Sequence, residues 1–170
     1  MLERSLALAS GELESRVHVV RDFGPVPPVL ANPAQLAQVF LNLVVNAAQA
    51  VAAKPSGEGE IRITTRANER GGAVVEVRDD GPGIDPATRE RIFEPFLRTR
   101  PASTGSGSSL GLSVCHAIVL GAGGLLEVES EPGHGSLFRV VLPPAPAEEH
   151  LPPGNPGLAP IAPGRVLGRW

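Results

Sequence analysis

The sequence predicts an α+β fold, a two-layer α/β sandwich in which about five strands form one mixed sheet and three helices cover one of its faces. Two observations predict it. Short alternating runs come in pairs, Glu60 to Arg66 with Ala73 to Arg78, and Leu125 to Ser130 with Ser136 to Leu142. Two segments with apolar residues at helical spacing, 32–53 and 110–120, stand before each pair. A chain of 170 residues has room for one core of ordinary size and not for two full domains.

The elements follow in order. Residues 1–15, with Leu2, Leu6, Leu8 and Leu13, read as the stump of an amphipathic helix belonging to something upstream. Arg16 to Asp22 alternates, with Val17, Val19 and Phe23 on one side, and reads as a strand. Gly24 to Pro28 is a loop. Asn32–Pro33–Ala34–Gln35 starts a helix: Asn caps, Pro suits the first helical position, and Gln three residues on completes a capping box. One face of that helix carries Leu36, Val39, Phe40, Leu43, Val44, Ala47 and Val51; the other carries Gln35, Gln38, Asn42, Asn46 and Gln49. Lys54–Pro55–Ser56–Gly57 ends it. After the first strand pair comes Asp79–Asp80–Gly81–Pro82–Gly83–Ile84, and Asp85–Pro86 opens a short helix to about Ile92. Residues 93–109 read as irregular, and Gly121, Gly123 and Gly124 stop the next helix. Glu131 to Gly135 is a hairpin-type turn. The domain reading is 16–143, with a Pro-rich tail or linker over 144–170.

Composition excludes several function classes. The hydrophobic share is 42% and the charged share 19%, ordinary for a globular chain. A net charge of −3 argues against a nucleic-acid binder. No apolar run approaches the length of a membrane span, and the N-terminus lacks the pattern of a signal peptide, so the reading is a domain without direct membrane contact. One cysteine, Cys115, excludes an internal disulfide and suits a reducing cytoplasm. Lys54, the only lysine, stands outside any Gly-rich loop, which excludes a P-loop.

Three constellations carry chemistry. Asn42 and Asn46, four residues apart, share one helix face, where Asn is mildly unfavourable. An amide carbonyl is a hard oxygen ligand that suits Mg²⁺ when phosphates supply most other ligands; the plain alternative is a solvated polar face. Asp79 at a strand end, followed by Gly81 and Gly83, sets a carboxylate beside a wall without side chains. A flat heterocycle with an exocyclic amine fits there; the plain alternative is a turn. Gly105 to Leu112 is a Gly/Ser loop opening a helix, with Arg98 and Arg100 before it, a combination that suits a phosphate.

The order of the three resembles the ATP-binding catalytic domain of sensor histidine kinases, in the gyrase, Hsp90, histidine kinase and MutL superfamily. Asn42–Leu43–Val44–Val45–Asn46–Ala47 is similar to the N box, and Asp79–Asp80–Gly81–Pro82–Gly83 to the G1 box. Phe93–Glu94–Pro95–Phe96 is similar to the F box, and Gly107–Ser108–Ser109–Leu110–Gly111–Leu112 to the G2 box. Gly133 to Phe138 resembles the closing Gly-x-Gly-Thr-x-Phe strand, and Asn46 to Ala50 is nearest the nitrogen-regulation and dicarboxylate sensors.

The resemblance implies a set of roles. Asp79 accepts from the adenine amino group, and Ser136 holds a water against the same base. Gly81 and Gly83 let the base approach the backbone; Gln49, Ile84 and Phe93 complete the pocket. Asn46 coordinates Mg²⁺, with Asn42 beside it as part of the catalytic set. Arg98 and Arg100 meet the terminal phosphates, and Gly107, Leu110, Gly111 and Leu112 form the lid's phosphate end. The implied partners are a histidine-containing dimerisation domain and a response regulator receiver domain.

Three departures stand out. Ser109 replaces the middle lid glycine. Arg100 stands where the subgroup has Lys. None of His18, His116, His134 and His150 precedes an acidic residue, so the phosphoacceptor is expected on a separate domain. An ATP hydrolase or anti-sigma serine kinase of the superfamily uses a Glu as base where this chain has Asn42. A degenerate docking module is the remaining alternative, favoured by Ser109.

Overall fold

The structure is a computed structural model that describes residues 17–95 and 110–145. Its elements in chain order are β1 (Val17–Phe23), α1 (Pro33–Ala52), β2 (Gly59–Ala67), β3 (Ala73–Asp79), α2 (Pro86–Arg91), α3 (Leu110–Gly121), β4 (Leu125–Ser130) and β5 (Ser136–Leu142). The sheet order is β1-β2-β3-β5-β4. Only β1 and β2 are parallel, because α1 is the crossover between them; the other neighbours are antiparallel. This is the mixed sheet that the sequence predicts.

Helix α1 begins as its sequence directs. Asn32 Oδ1 accepts from the backbone N–H of Ala34 at 2.9 Å and of Gln35 at 3.3 Å, and Pro33 takes the first helical position. Val39, Leu43, Val44, Ala47 and Val51 are completely buried against the sheet, where Ile61, Ile63, Val77, Phe138 and Val140 rise to meet them. Helix α3 packs beside α1 and over β4, contributing Cys115 and Val119 to the same core. Among the described residues α1 is the one helix long and apolar enough to cross a bilayer, and it spends that apolar face on the core.

Several strand boundaries move outward from the sequence reading, β1 ending at Phe23 and not at Asp22. β2 runs from Gly59 to Ala67, one residue longer at each end, because Gly59 still pairs with Val17 and Ala67 with Ala73. β3 includes Asp79, which pairs with Ile61 on one side and Ser136 on the other. Alternating hydrophobicity stops at the last apolar residue, whereas the backbone ladder does not. Phe23, grouped with Val17 and Val19, stays 40% exposed at the sheet edge. The expectations for 1–16, for the loop 96–109 with Arg98, Arg100 and Gly107, and for 146–170 fall outside the described residues.

The second sheet face is held by charge. Arg66, Glu76, Arg139 and Glu129 form a row across β2, β3, β5 and β4, with N–O distances of 3.1, 2.7 and 2.8 Å. Burial alone would raise the Glu76 carboxyl, but the hydrogen bonds and charges of Arg139 and Arg66 outweigh it and hold it below the usual 4.5. Its ionised form therefore stabilises the fold above that pH, and the contribution is lost as the pH falls through the lowered value. Glu76→Gln is expected to cost about 1 kcal/mol at neutral pH, the scale of a partly exposed network. Denaturant unfolding at stepwise lower pH should show the gap between variant and wild type shrinking below 4.5.

Candidate functional site

The site is built at the end of β3. Strand periodicity puts Val75, Val77 and Asp79 on the helix-covered face, so the carboxylate is forced inward and is only 2% exposed. Asp79 Oδ1 accepts the Gly81 N–H at 2.9 Å. Its neighbour goes the other way: Asp80 receives Lys54 Nζ at 2.9 Å and the Glu60 N–H at 3.0 Å, fastening the turn to the start of β2 and the end of α1. The two adjacent aspartates thus have separate duties, and the inward one is the residue predicted from the sequence.

The glycines after Asp79 allow close backbone approach. A Cβ on Gly81 would lie 2.8 Å from Asp79 Oδ1 and 2.8 Å from Ala50 Cβ, so the turn lies against the last turns of α1 beside Gln49. Gly83 has φ +73°, and a Cβ there would meet the Glu131 carbonyl oxygen at 2.0 Å. Gly133 N–H donates to the Pro82 carbonyl at 2.7 Å, closing the turn onto the β4–β5 hairpin. Asp79, Gly81, Gly83 and Ile84, expected together from the sequence, therefore stand on one continuous piece of backbone clamped between α1 and the hairpin.

The sheet register decides where Ser136 stands. It lies directly opposite Asp79 in the β3–β5 ladder, on the same inward face, and is 6% exposed. Sequence reasoning missed Ser130, its cross-strand partner in β4. Ser130 Oγ accepts the Ile84 N–H at 2.9 Å, donates to the Gly135 carbonyl at 2.7 Å and lies 3.1 Å from Ser136 Oγ. A lone serine at a strand end has no sequence signal; only the register reveals it.

Asn46 and Gln49 lie half-buried on α1. Asn42, one turn earlier, is engaged with α3: its Oδ1 accepts from Gln38 Nε2 at 2.8 Å, which turns its Nδ2 toward Gly111 O at 3.4 Å and Cys115 Sγ at 3.6 Å. Asn42 thus joins α1 to the first turn of α3, where Leu110, Gly111 and Leu112 begin the helix. Burial pushes the Cys115 thiol up to about 11 despite the Asn42 contact, so it is no nucleophile. Phe93, just past the end of α2, stacks on the His116 ring of α3 at 4.9 Å and 9° between planes. The stack ties the chain leaving α2 to α3. Among the described residues, no three His, Cys, Asp or Glu side chains gather as a metal site.

Comparison with known proteins follows this geometry. The sequence profile described as histidine kinase-, DNA gyrase B-, and HSP90-like ATPase matches residues 31–146. The chain is 39% identical over 161 residues to the sensory histidine kinase/phosphatase NtrB of Rhodobacter capsulatus, across 87% of this chain and 43% of that protein. It is 32% identical over 145 residues to the signal transduction histidine-protein kinase AtoS of Escherichia coli, across 84% of this chain and 22% of that one. The chain therefore spans less than half the length of these relatives. The mycobacterial sensor histidine kinase MprB superposes with a TM-score of 0.72 at 30% identity, covering 84% of this chain and 92% of that one. The ShkA structure in complex with AMPPNP gives 0.70 at 29%, covering 84% of this chain and 29% of that one.

The turn geometry makes two glycines unequal. Gly83→Ala is expected to destabilise by about 2 kcal/mol or more, since positive φ and a backbone clash both oppose it. Gly133→Ala, with φ +84° but nothing within 4 Å of its Cβ, should cost about 1 kcal/mol. Urea unfolding of both variants measures the difference.

Proposed function

Because the chain belongs to the histidine kinase-, DNA gyrase B-, and HSP90-like ATPase family, we propose that it is the ATP-binding catalytic domain of a two-component sensor histidine kinase. In this reading it binds Mg-ATP and donates the γ-phosphoryl to a histidine on a separate dimerisation domain. A response regulator receiver domain is the next acceptor. The work is done on the cytoplasmic side, by a domain that itself touches neither membrane nor nucleic acid. The observation that carries the reading is the buried Asp79 carboxylate, opposite Ser136 and walled by glycines that admit no side chain.

The residues divide the task. Asp79 accepts from the adenine amino group, and Ser136 supports the same base through a water. Asn46 offers a neutral amide oxygen to Mg²⁺, a donor that suits an ion whose charge is mostly met by phosphates. The ion, when bound, supplies charge neutralisation between phosphate oxygens. Arg98 and Arg100 face the terminal phosphates, while Gly107 and the N–H groups of Leu110, Gly111 and Leu112 receive phosphate oxygens at the start of α3. Asn42 holds α3 to α1 while that end is loaded.

The step itself is a displacement at phosphorus. A neutral imidazole nitrogen attacks the γ-phosphorus as the bond to the bridging oxygen breaks and ADP leaves. An imidazole lone pair needs no base on this chain. Water or a serine hydroxyl does, and Asn42, at the position where hydrolases and serine kinases of the superfamily keep a carboxylate, cannot take a proton. That argument favours the histidine kinase over an ATP hydrolase or anti-sigma serine kinase. Ser109 in place of the lid glycine is the feature that favours a degenerate docking module, and failure to bind Mg-ATP at millimolar nucleotide would establish that reading instead.

Two variants test the assignment by calorimetric titration with ATP. Asp79→Asn should raise the Kd at least about tenfold, because a charge-assisted acceptor becomes a neutral amide. Unchanged affinity contradicts the adenine role. Asn46→Ala should abolish the dependence of ATP affinity on Mg²⁺, and an unaltered dependence contradicts the metal role.

A further inference from the structure

Ile61, Asp79, Ser136 and Ser130 form one row across β2, β3, β5 and β4, all on the helix-covered face. The last of them is 7% exposed and meets three different segments. A hydroxyl has one proton and two lone pairs. The Gly135 carbonyl can only accept, so the Ser130 proton goes there, at 2.7 Å. The Ile84 N–H takes one lone pair at 2.9 Å. The second lone pair is left for Ser136, 3.1 Å away, which must then be the donor of that pair. The hydroxyl of Ser136 is thereby oriented, with its own lone pairs left for a water or a base.

We propose that Ser130 is a positioning residue for nucleotide recognition: it joins the glycine turn, the β4–β5 hairpin and the Ser136 hydroxyl into one rigid base wall. The inference rests on the ATP-binding reading and adds to it a residue outside every recognised motif. Ile84 is the first residue after the glycine turn, and Gly135 is the residue before Ser136. One hydroxyl therefore sets both edges of the wall. Gly135 lies close against the backbone of β3, with φ at +77° and no room for a Cβ, which would meet the Asp79 carbonyl oxygen at 2.1 Å. Removing the Ser130 oxygen leaves a half-buried N–H and a buried carbonyl without their partner and lets Ser136 turn.

The test is titration of the folded chain with ATP and with ADP, each with and without Mg²⁺, on wild type, Ser130→Ala and Ser130→Thr. Because the wall faces the base, Ser130→Ala should lose about tenfold in affinity, by the same factor for both nucleotides and regardless of metal. Ser130→Thr keeps the hydroxyl and should stay within about twofold of wild type. Where Ser130→Ala does not fold, Ser130→Cys, similar in volume but only a weak acceptor, is read the same way. Unchanged affinity in Ser130→Ala, a loss confined to ATP with Mg²⁺, or an equal loss in Ser130→Thr overturns the inference while leaving the ATP reading intact. A wild type that binds neither nucleotide overturns both.

Discussion

The register of β3 against β5 is the constraint on which the rest depends. Val77 and Phe138 are fully buried and opposite each other, so both must face the helices. Strand geometry leaves no choice two residues further on: Asp79 and Ser136 face inward together. A slip of one residue would put the carboxylate on the solvent face and Arg78 into the core. The apolar pairs that hold the sheet together are thus what aims the Asp79 side chain at the interior, where a hydrogen bond is stronger than in water.

Placing that carboxylate is not enough without backbone at close range. The turn 79–83 reaches α1 at Ala50 and the hairpin at Glu131, and at both approaches a methyl group has no space. Three side chains then lock what the glycines permit. Asp80 and Lys54 fasten the outer side, while Ser130 fastens the inner side through Ile84 and Gly135. The wall gains rigidity from contacts that are individually ordinary hydrogen bonds, most of them buried or partly so.

The opposite end of the site depends on how α3 is seated. Asn42 reaches across to the first turn of α3 and Phe93 stacks against His116 farther along it. Asn42 therefore acts between two helices in this structure. A polar residue on the N-box helix that cannot take up a proton agrees with a reaction whose nucleophile comes from elsewhere. The second sheet face, with its row of alternating Arg and Glu, takes no part in this and serves the stability of the sheet.

Much of this was legible in the residues alone. Alternation and helical spacing define each element to within a residue or two, because burial of one face imposes its period on the sequence. Asn32 and Asp85 announce helix starts through local hydrogen bonding, and Asp79, Gly81 and Gly83 announce a turn that spares space. What tertiary structure decided was everything that needs two distant segments at once. The β1–β2 pairing is parallel because α1 returns the chain to the same edge. Ser136 stands opposite Asp79 because β5 pairs with β3 in one register. Ser130 became visible only through its partners at Ile84, Gly135 and Ser136, since a hydroxyl has no periodicity to betray it and its meaning lies wholly in which groups the fold brings within reach.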